Sequence, residues 1–416
     1  MKKILTLVLA LLLTTALLSS ALAEVHLTVT SWRVEDQAAW DQINAAFTAE
    51  HPDITVEYIP VTATEYDSVL QTKLQSGNAE DIMFLRAFST GLQIYNAGYV
   101  HELTEEMVPN ISIMRSDLLA PWTSEDGTVY GLPGSVCYGG FFYNKAIFEE
   151  VGVEPPRTFD EFMDVCQKIE DAGYVAIGFG ILDSWMVAEY LSATVVPVTT
   201  GTEWHAQLMA KETDYTDPGY IQHFEWIKQM AEYFPDGYQG IGSSDMQMMF
   251  ASEMAAIYPV GTFELTVIES LNPDLDLGWF FMPTETAEDP YVINYGAIMG
   301  YGINKTVEGE KLEAACTYIN WLAEQEASEM FTNSVLGQYA ASGNYGNIEN
   351  ELSREIIADT EGAEFFIQIP YQQLSDQSPD YTAAIQGAIY QLLVEDATPE
   401  EAADYMMTEQ AWYFAE

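Results

Sequence analysis

The chain has 416 residues, 48% of them hydrophobic, and carries 64 acidic against 14 basic side chains, a formal charge of −50. This length exceeds one compact core and suits two lobes, and the hydrophobic share excludes wholesale disorder. Because so acidic a surface repels phosphate backbones, the charge argues against nucleic acid as a partner.

The first segment has the three-part layout of a secretory signal peptide. Lys2 and Lys3 precede an apolar run from Ile4 to Leu18, and Ala21 and Ala23 stand at small-residue cleavage positions. We predict cleavage after Ala23 and therefore a secreted protein, in the periplasm or at the cell surface. The alternative is a membrane anchor, but the apolar run falls short of the ~20 residues that a spanning helix needs. No cysteine follows the run, so we do not expect the lipid-modified cysteine of a bacterial lipoprotein.

Strands and helices alternate through the first part of the mature chain. The patterns predict a strand at 25–29, a helix within 35–47, a strand at 54–59, a helix at 66–76, a strand in "DIMFL" and a helix at 91–97. Such alternation predicts an α/β fold with a mainly parallel sheet flanked by helices.

The segment that begins at Tyr130 interrupts this alternation. Gly131 and Gly134 bracket Pro133, so we expect neither a helix nor a central strand to run through them. An aromatic run, Cys137 to Tyr143, follows at once and predicts a buried strand.

The alternation resumes in the second part of the chain. Helices are predicted at 144–151, where Gly152 ends the helix, and at 183–193, 218–233 and 312–331. Two more are predicted from their caps, one at Thr158 with Glu161 three residues later and one at Thr398. The predicted strands include 174–180, 255–258 and "YGAIMGYGINK".

No motif of catalytic or metal chemistry stands out. The five histidines are scattered, and the three cysteines (Cys137, Cys166 and Cys316) have no metal-binding spacing and read as small buried hydrophobes. We therefore predict no catalytic residue, no metal and no cofactor.

Aromatic residues recur beside loop breakers at the ends of predicted strands. They are Trp32, Phe88, Tyr138, Trp185, Phe263 and Tyr295. In open α/β sheets ligands bind beyond the carboxyl ends of strands, and flat rings with polar neighbours suit a pyranose. For any single ring, ordinary core packing is the alternative.

The block "DGTVYGLPGSVCYGGFFYNKAIFEEVGVEPPRTFDEF" resembles the signature of extracellular solute-binding proteins of ABC importers, family 1, the carbohydrate-binding group that includes maltose-binding protein. The segments "FASEMAAIYPVGTFEL" and "YGAIMGYGINK" are also similar to that family. The resemblance implies a two-lobe, periplasmic-binding-protein-like (type II) α/β fold with hinge crossovers and a ligand cleft between the lobes. It places lobe 1 at 24–133 with 293–341, lobe 2 at 134–292 with 342–416, and the hinge at Gly131, Pro133 and Gly134.

By this resemblance the protein is a monomeric, non-enzymatic receptor that traps a mono- or oligosaccharide and presents it to a membrane permease. The candidates for ring stacking are Trp32, Tyr138, Trp185 and Phe263, the last at a position where the family often has Trp. The candidates for hydrogen bonds to hydroxyl groups are Asp36, Arg86, Tyr295 and Tyr339.

Two alternatives stay open at this point. A secreted glycan-cleaving enzyme would share aromatic subsites but needs two carboxyl groups roughly 5 to 10 Å apart around the sugar. The same receptor fold could instead hold a cationic ligand such as a polyamine, because the protein is strongly negative. Removal of the signal peptide takes its formal charge from −50 to −52.

Overall fold

The computed structural model describes residues 25–367, 374 and 377–415, so the predicted signal peptide and its cleavage position lie outside the described residues. The strands are β1 (Val25–Ser31), β2 (Ile54–Pro60), β3 (Ile82–Leu85), β4 (Leu132–Asn144), β5 (Val175–Ile177), β6 (Ala255–Gly261), β7 (Leu277–Phe280), β8 (Val292–Ile303), β9 (Tyr339–Ala340) and β10 (Glu364–Ile367).

The helices flank these strands. They are α1 (Gln37–Glu50), α2 (Tyr66–Ser76), α3 (Ser89–Asn96), α4 (Ser116–Leu119), α5 (Lys145–Val151), α6 (Phe159–Asp171), α7 (Ser184–Met186), α8 (Ala193–Thr200), α9 (Trp204–Met209), α10 (Pro218–Met230), α11 (Ser243–Ala251), α12 (Leu265–Leu271), α13 (Glu310–Trp321), α14 (Gln325–Ser334), α15 (Glu351–Asp359), α16 (Tyr381–Val394), α17 (Pro399–Glu409) and α18 (Ala411–Phe414).

The sheet has a mixed topology, which corrects the expectation of a mainly parallel one. Its order is β2-β1-β3-β8-β4-β6-β5, with β10 beside β8 and with β7 and β9 beside β4. Strands β1, β2 and β3 run parallel, as do β5 and β6, but β8 and β4 pair antiparallel with each other and with β3 and β6 respectively. Since both long strands run through the middle of the sheet, the parallel pattern survives mainly toward its ends.

Strand β4 runs through the predicted breaker, which corrects the expectation that no strand could. Pro133 lies opposite Gly300, and the register shifts on both sides of Ser135. Such a bulge tolerates a proline and a glycine that a regular central strand would not. A Cβ at Gly134 would come within 2.7 Å of the Tyr301 ring, so a glycine is needed there for close packing.

Strand β4 also changes partners along its length. Residues Leu132 to Tyr138 pair with β8, and Ser135 and Val136 also pair with β9. From Gly139 onward β4 pairs with β6 and then also with β7. One strand therefore belongs to two groups of strands, which is what a crossover between lobes requires, while the lobe limits and the hinge positions stay predictions.

Several helix boundaries follow from capping, as the sequence predicts. Thr158 and Glu161 form a reciprocal capping box at the start of α6, Thr398 caps α17 with Pro399 in its first turn, and α5 ends at Gly152 in the left-handed conformation.

Two predicted helices are divided. The predicted helix 183–193 is α7 followed by a π-helical turn, Val187–Ser192, and the predicted helix 312–331 spans α13 and α14. Hydrophobic periodicity identified the buried faces but carries no signal for a local change of helix type.

The core is rich in aromatic side chains. Trp40 and Phe84 are fully buried and pack against Tyr58 and Tyr301. All three cysteines are buried and unpaired, which confirms their interpretation as small hydrophobes.

Within the described ranges, the structure contains no helix that is both long enough and apolar enough to cross a membrane.

Candidate functional site

Beyond the end of β1 lies a network that we call the Arg33 cluster: Arg33, Asp36 and Gln338, which are buried, and Glu35, which is exposed. Arg33 is only 5% exposed, and its Nε donates to Asp36 Oδ2 at 2.9 Å while its Nη1 lies 2.8 Å from Glu35 Oε1. Gln338 Nε2 donates to the same Asp36 carboxylate at 3.2 Å. Burial alone would lower the Arg33 pKa, but the carboxylates of Asp36 and Glu35 raise it above its usual range, so this arginine stays charged.

The Arg33 cluster touches the loop after β6. Arg33 Nη2 donates to the Phe263 carbonyl at 3.4 Å, and the guanidinium carbon lies 5.4 Å from the centre of the Phe263 ring. Gln338 in turn accepts from Ser135 on β4 at 2.9 Å. Segments after β1, after β6 and before β9 therefore meet at the Arg33 cluster. Sequence analysis missed Arg33, although it directly follows Trp32.

Glu264 is the second buried charge that sequence analysis missed. It is 3% exposed, and both of its carboxylate oxygens accept from Gln247 Nε2, at 3.0 and 3.1 Å. Burial raises the Glu264 pKa to about 7, against the opposing charge of Arg33. A carboxyl that titrates near neutrality beside a fixed arginine makes the charge of this region depend on pH.

Three rings form what we call the ring cluster: Trp185, Tyr190 and Phe263. Tyr190 stands between the others, with ring centres 6.0 Å from Trp185 in an edge-on contact and 5.6 Å from Phe263. Trp185 is partly exposed, whereas Tyr190 is buried and Phe263 is 9% exposed. The structure thus brings two predicted stacking residues together through Tyr190, which the sequence did not single out.

Trp32 and Arg86 also meet, but they are held by other groups. The Arg86 guanidinium lies 4.6 Å from the centre of the Trp32 ring, and its Nε donates to both oxygens of Asp67 at 2.9 Å. The edges of Tyr66 and Phe84 pack against the same indole. One face of Trp32 is therefore covered by a cation, and a sugar stacking there would have to displace Arg86.

Tyr138, Tyr295 and Tyr339 lie apart from these groups. Cys137 Sγ lies 3.7 Å from the Gly337 carbonyl, on the side of the Arg33 cluster. Because successive residues of a strand face opposite ways, Tyr138 faces the other side of β4. There it packs at 5.4 Å against Tyr339, whose hydroxyl donates to the Ser353 carbonyl.

A second set of charges, which we call the Arg115 cluster, lies on that other side: Arg115, Asp117 and Tyr295. The Tyr295 hydroxyl donates to Asp117 and accepts from Arg115 Nη2 at 3.2 Å. Burial raises the Tyr295 pKa, and its bond to Asp117 adds to the effect. Tyr138, Tyr295 and Tyr339 therefore lie on the opposite face of β4 from Asp36, and the contact of all eight predicted residues with a ligand stays a prediction.

A cavity of about 650 Å³ lies apart from the ring cluster, none of whose three residues lines it. It lies along α16 and is lined by Ser184, Thr382, Gln386 and Tyr390 among others, Ser184 being the neighbour of Trp185 in the chain. Gln386 Nε2 donates to the Ile181 carbonyl at 2.6 Å, while its buried Oε1 has no partner among the described residues. The Gln386 amide thus stands at the cavity wall with its acceptor oxygen buried behind it, and no sequence motif marked it.

Among the described residues, no group of histidine, cysteine and carboxylate side chains is arranged to hold a metal ion. The site is therefore built from rings, amides and paired charges, which suit binding of a polar organic molecule.

Comparison with protein families matches residues 31–329 to the model of the bacterial extracellular solute-binding proteins. Among curated proteins, the chain is 22% identical over 311 residues to a multiple sugar-binding protein of Streptococcus mutans, covering 71% of this chain and 70% of that protein. It is 24% identical over 265 residues to the melibiose/raffinose/stachyose-binding protein MelE of Bacillus subtilis, covering 60% and 59%.

Solved structures share the fold. A chitin oligosaccharide binding protein superimposes with a TM-score of 0.74 at 22% identity, covering 93% of this chain and 98% of its own. The solute-binding protein RafE in complex with raffinose gives 0.73 at 19% identity, covering 94% and 100%. These likenesses confirm the predicted two-lobe type II fold.

Proposed function

The chain belongs to the bacterial extracellular solute-binding proteins, and from this membership we propose that it traps a carbohydrate between its lobes and delivers it to the permease of an ABC importer. Proteins of this family are binding proteins, so the chain is a receptor, and we reject the alternative of a glycan-cleaving enzyme. The family is extracytoplasmic, which agrees with the predicted signal peptide; cleavage near Ala23 is part of the proposal.

The observation that carries the proposal is the meeting of the ring cluster with the Arg33 cluster at Phe263. Aromatic faces bind the apolar face of a pyranose, and charged groups bind its hydroxyl rim. Hydrogen bonds with one ionised member contribute roughly 1.5–3 kcal/mol each, so Asp36 and Arg33 are strong candidates for hydroxyl contacts. Relatives named for raffinose, stachyose and chitin oligosaccharides favour an oligosaccharide as the ligand.

Lobe closure is the expected mechanism of capture. Arg33 joins the loop after β1 to the Phe263 carbonyl after β6, and these two strands lie on either side of the crossover strands β4 and β8. A ligand favours closure only through contacts that the open form lacks. We therefore expect a binding sugar to reduce the radius of gyration in small-angle scattering, and an unchanged radius at saturation would count against closure.

The charges of the site favour a neutral sugar over an acidic one. Arg33 is already bound to Asp36 and Glu35, and Arg86 is already bound to Asp67. A uronic acid would have to compete with these carboxylates for both arginines. Because the protein is strongly acidic, a cationic ligand is the alternative to a neutral sugar.

The test is a thermal-shift panel followed by calorimetry. Neutral oligosaccharides (raffinose, stachyose, xylobiose and chitotriose), their uronic-acid counterparts and spermidine are each added at the same concentration. A ligand at 100 times its Kd adds about 2.7 kcal/mol to the stability of the folded state, so a true ligand is readily seen. We expect stabilisation by a neutral oligosaccharide; stabilisation by spermidine alone, or by nothing in the panel at millimolar concentration, would contradict the proposal.

A further inference from the structure

The π-helical turn Val187–Ser192 carries Tyr190, the ring that joins the ring cluster. At the end of this turn the Ala193 N–H donates to the Ala188 carbonyl, a five-residue step in place of the usual four. Such turns are rare and occur often at functional sites, because the wider backbone redirects side chains. The position of Tyr190 therefore depends on whatever holds this turn in place.

A side chain from strand β8 holds the turn. Asn294 is 2% exposed, and its Nδ2 donates to the Glu189 carbonyl at 2.9 Å and lies 3.5 Å from Thr194 Oγ1. Its Oδ1 is buried without a partner among the described residues. Because the donor side of this buried amide is hydrogen-bonded and its acceptor is not, we infer that the bonds donated by Nδ2 are what the side chain contributes here.

The neighbouring strand is shaped to let this amide through. A Cβ at Gly139 on β4 would lie 2.8 Å from Asn294 Nδ2 and 3.2 Å from Thr194 Oγ1. Any side chain at residue 139 would push the amide away from the turn.

The last residue of the turn is fixed independently. His223 Nδ1 lies 2.6 Å from the Tyr220 carbonyl, which can only accept, so His223 Nε2 accepts from Ser192 Oγ at 3.2 Å. Asn294 thus ties the middle of the turn to a crossover strand.

We propose that Asn294 is a positioning residue for ligand binding: through the Glu189 carbonyl it sets the π-helical turn, and through Tyr190 it sets the rings of Trp185 and Phe263. The inference rests on the proposed function, because it concerns how the rings meet the ligand. It also couples the ligand-facing rings to β8, one of the two strands that cross between lobes.

The test compares Asn294→Leu with a matched control, Asn304→Leu. Asn304 follows the other end of β8, where Ile303 pairs with Ile82 at the start of β3. It is 4% exposed, and its Nδ2 donates to the carbonyls of Ala79 and Glu80, both at 3.1 Å. Both variants remove a buried amide that binds backbone carbonyls. We expect Asn294→Leu to weaken sugar binding about fivefold at a temperature well below its Tm, and Asn304→Leu to lower Tm without changing Kd.

Hydrogen exchange on the unliganded protein separates this inference from the proposed function. We expect faster exchange of the amides of residues 187–194 in Asn294→Leu, and no such change in Asn304→Leu. Gly139→Ala, which displaces the amide without altering it, should act like Asn294→Leu and serves if that variant folds poorly. Unchanged exchange in both site variants overturns the role of Asn294, as does an equal loss of affinity in the control. A failure of the wild-type protein to bind any carbohydrate overturns the proposed function and leaves the exchange result to decide the role of Asn294.

Discussion

The two faces of β4 carry charge clusters of the same make-up and very different burial. In each, an arginine binds a nearby aspartate and lies against an aromatic ring: Arg33 binds Asp36 and contacts Phe263 of the ring cluster, and Arg115 binds Asp117 and contacts Tyr295. The side chains of Arg33 and Asp36 are 6% and 2% exposed, whereas those of Arg115 and Asp117 are 58% and 30% exposed.

Burial gives the two clusters different energetic roles. An exposed ion pair is screened by water and contributes little, whereas a buried one is costly to form and more costly to break, because the remaining charge is left unpaired. The Arg33 cluster also joins segments that are distant in the chain, while Arg115 and Asp117 are two residues apart and fasten the start of α4 to β8. Residue types alone therefore do not tell which cluster holds the site together.

The largest expected difference between the clusters is in stability. Arg33→Met keeps the apolar stem but leaves Asp36 buried without its cation, and we expect a loss of about 3–5 kcal/mol in the free energy of unfolding. Arg115→Met removes an exposed partner and should cost at most about 1 kcal/mol. Urea denaturation of both variants measures the contrast, and equal losses would mean that the burial of Arg33 is not what matters.

The next difference is the sign of the pH dependence. The folded-state pKa of Glu264, beside the Arg33 cluster, is raised from 4.5 to about 7, so the folded protein binds a proton more tightly than the unfolded chain. The stability that this proton binding contributes is fully present at pH values below the pKa of Glu264 in the unfolded chain. As the pH rises from about 4.5 to about 7, this contribution to the free energy of unfolding is lost, by roughly 3 kcal/mol. Stability relative to Glu264→Gln should therefore fall across that window.

Asp117 in the Arg115 cluster should behave in the opposite way. Its partial burial would raise the pKa, but hydrogen bonds from Tyr295 and Arg115 outweigh this and lower the pKa below 3.8. The stability that ionised Asp117 contributes is present above the pKa of this residue in the unfolded chain. It is lost as the pH falls through the pKa of the folded state. Melting curves of Asp117→Asn and Glu264→Gln across pH 2 to 8 test both signs, and a shared direction would refute the assignment.

The sequence predicted the elements of the fold better than their pairing. Caps at Thr158, Thr398 and Gly152 are local signals, so those helix ends were predictable. The antiparallel pairing of β4 with β8 joins residues that are more than 150 positions apart, and no local pattern encodes it. The bulge that admits Pro133 depends on that same partner strand.

For the candidate site, strand ends indicated loops that carry the predicted residues but not the contacts that those residues make. Trp185 and Phe263 were singled out because each follows a strand beside a glycine-containing turn, and their contact with a ligand stays a prediction. Arg33, Glu264 and Tyr190 were missed because their roles arise from burial and from contacts across the fold. Residue type could not separate the two faces of β4, so the tyrosines of the Arg115 face were predicted together with the residues of the Arg33 face.

Ring contacts supply a third contrast, in affinity. Trp185 is partly exposed at the edge of the ring cluster, so Trp185→Ala should weaken sugar binding about tenfold, or 1.4 kcal/mol, while the fold persists. Tyr339 is 1% exposed on the Arg115 face, so Tyr339→Ala should lower Tm and leave Kd nearly unchanged in the folded fraction. Calorimetry with thermal melts of both variants decides this, and a loss of affinity confined to Tyr339→Ala would place the ligand on the other face of β4.

The smallest effect is that of salt, and it separates surface charge from the binding mechanism. The screening length falls from about 10 Å at 0.1 M to about 3 Å at 1 M, so salt should weaken the exposed Arg115 pair and leave the buried Arg33 cluster intact. Salt should also raise overall stability, because it relieves the self-repulsion of a chain with a formal charge near −50. A neutral sugar held by rings and hydrogen bonds has no net charge for ions to screen, so its Kd should change by less than about twofold. Measuring Tm and Kd across one salt series tests all three statements, and a tenfold loss of affinity in an intact fold would identify a cationic ligand in place of the sugar.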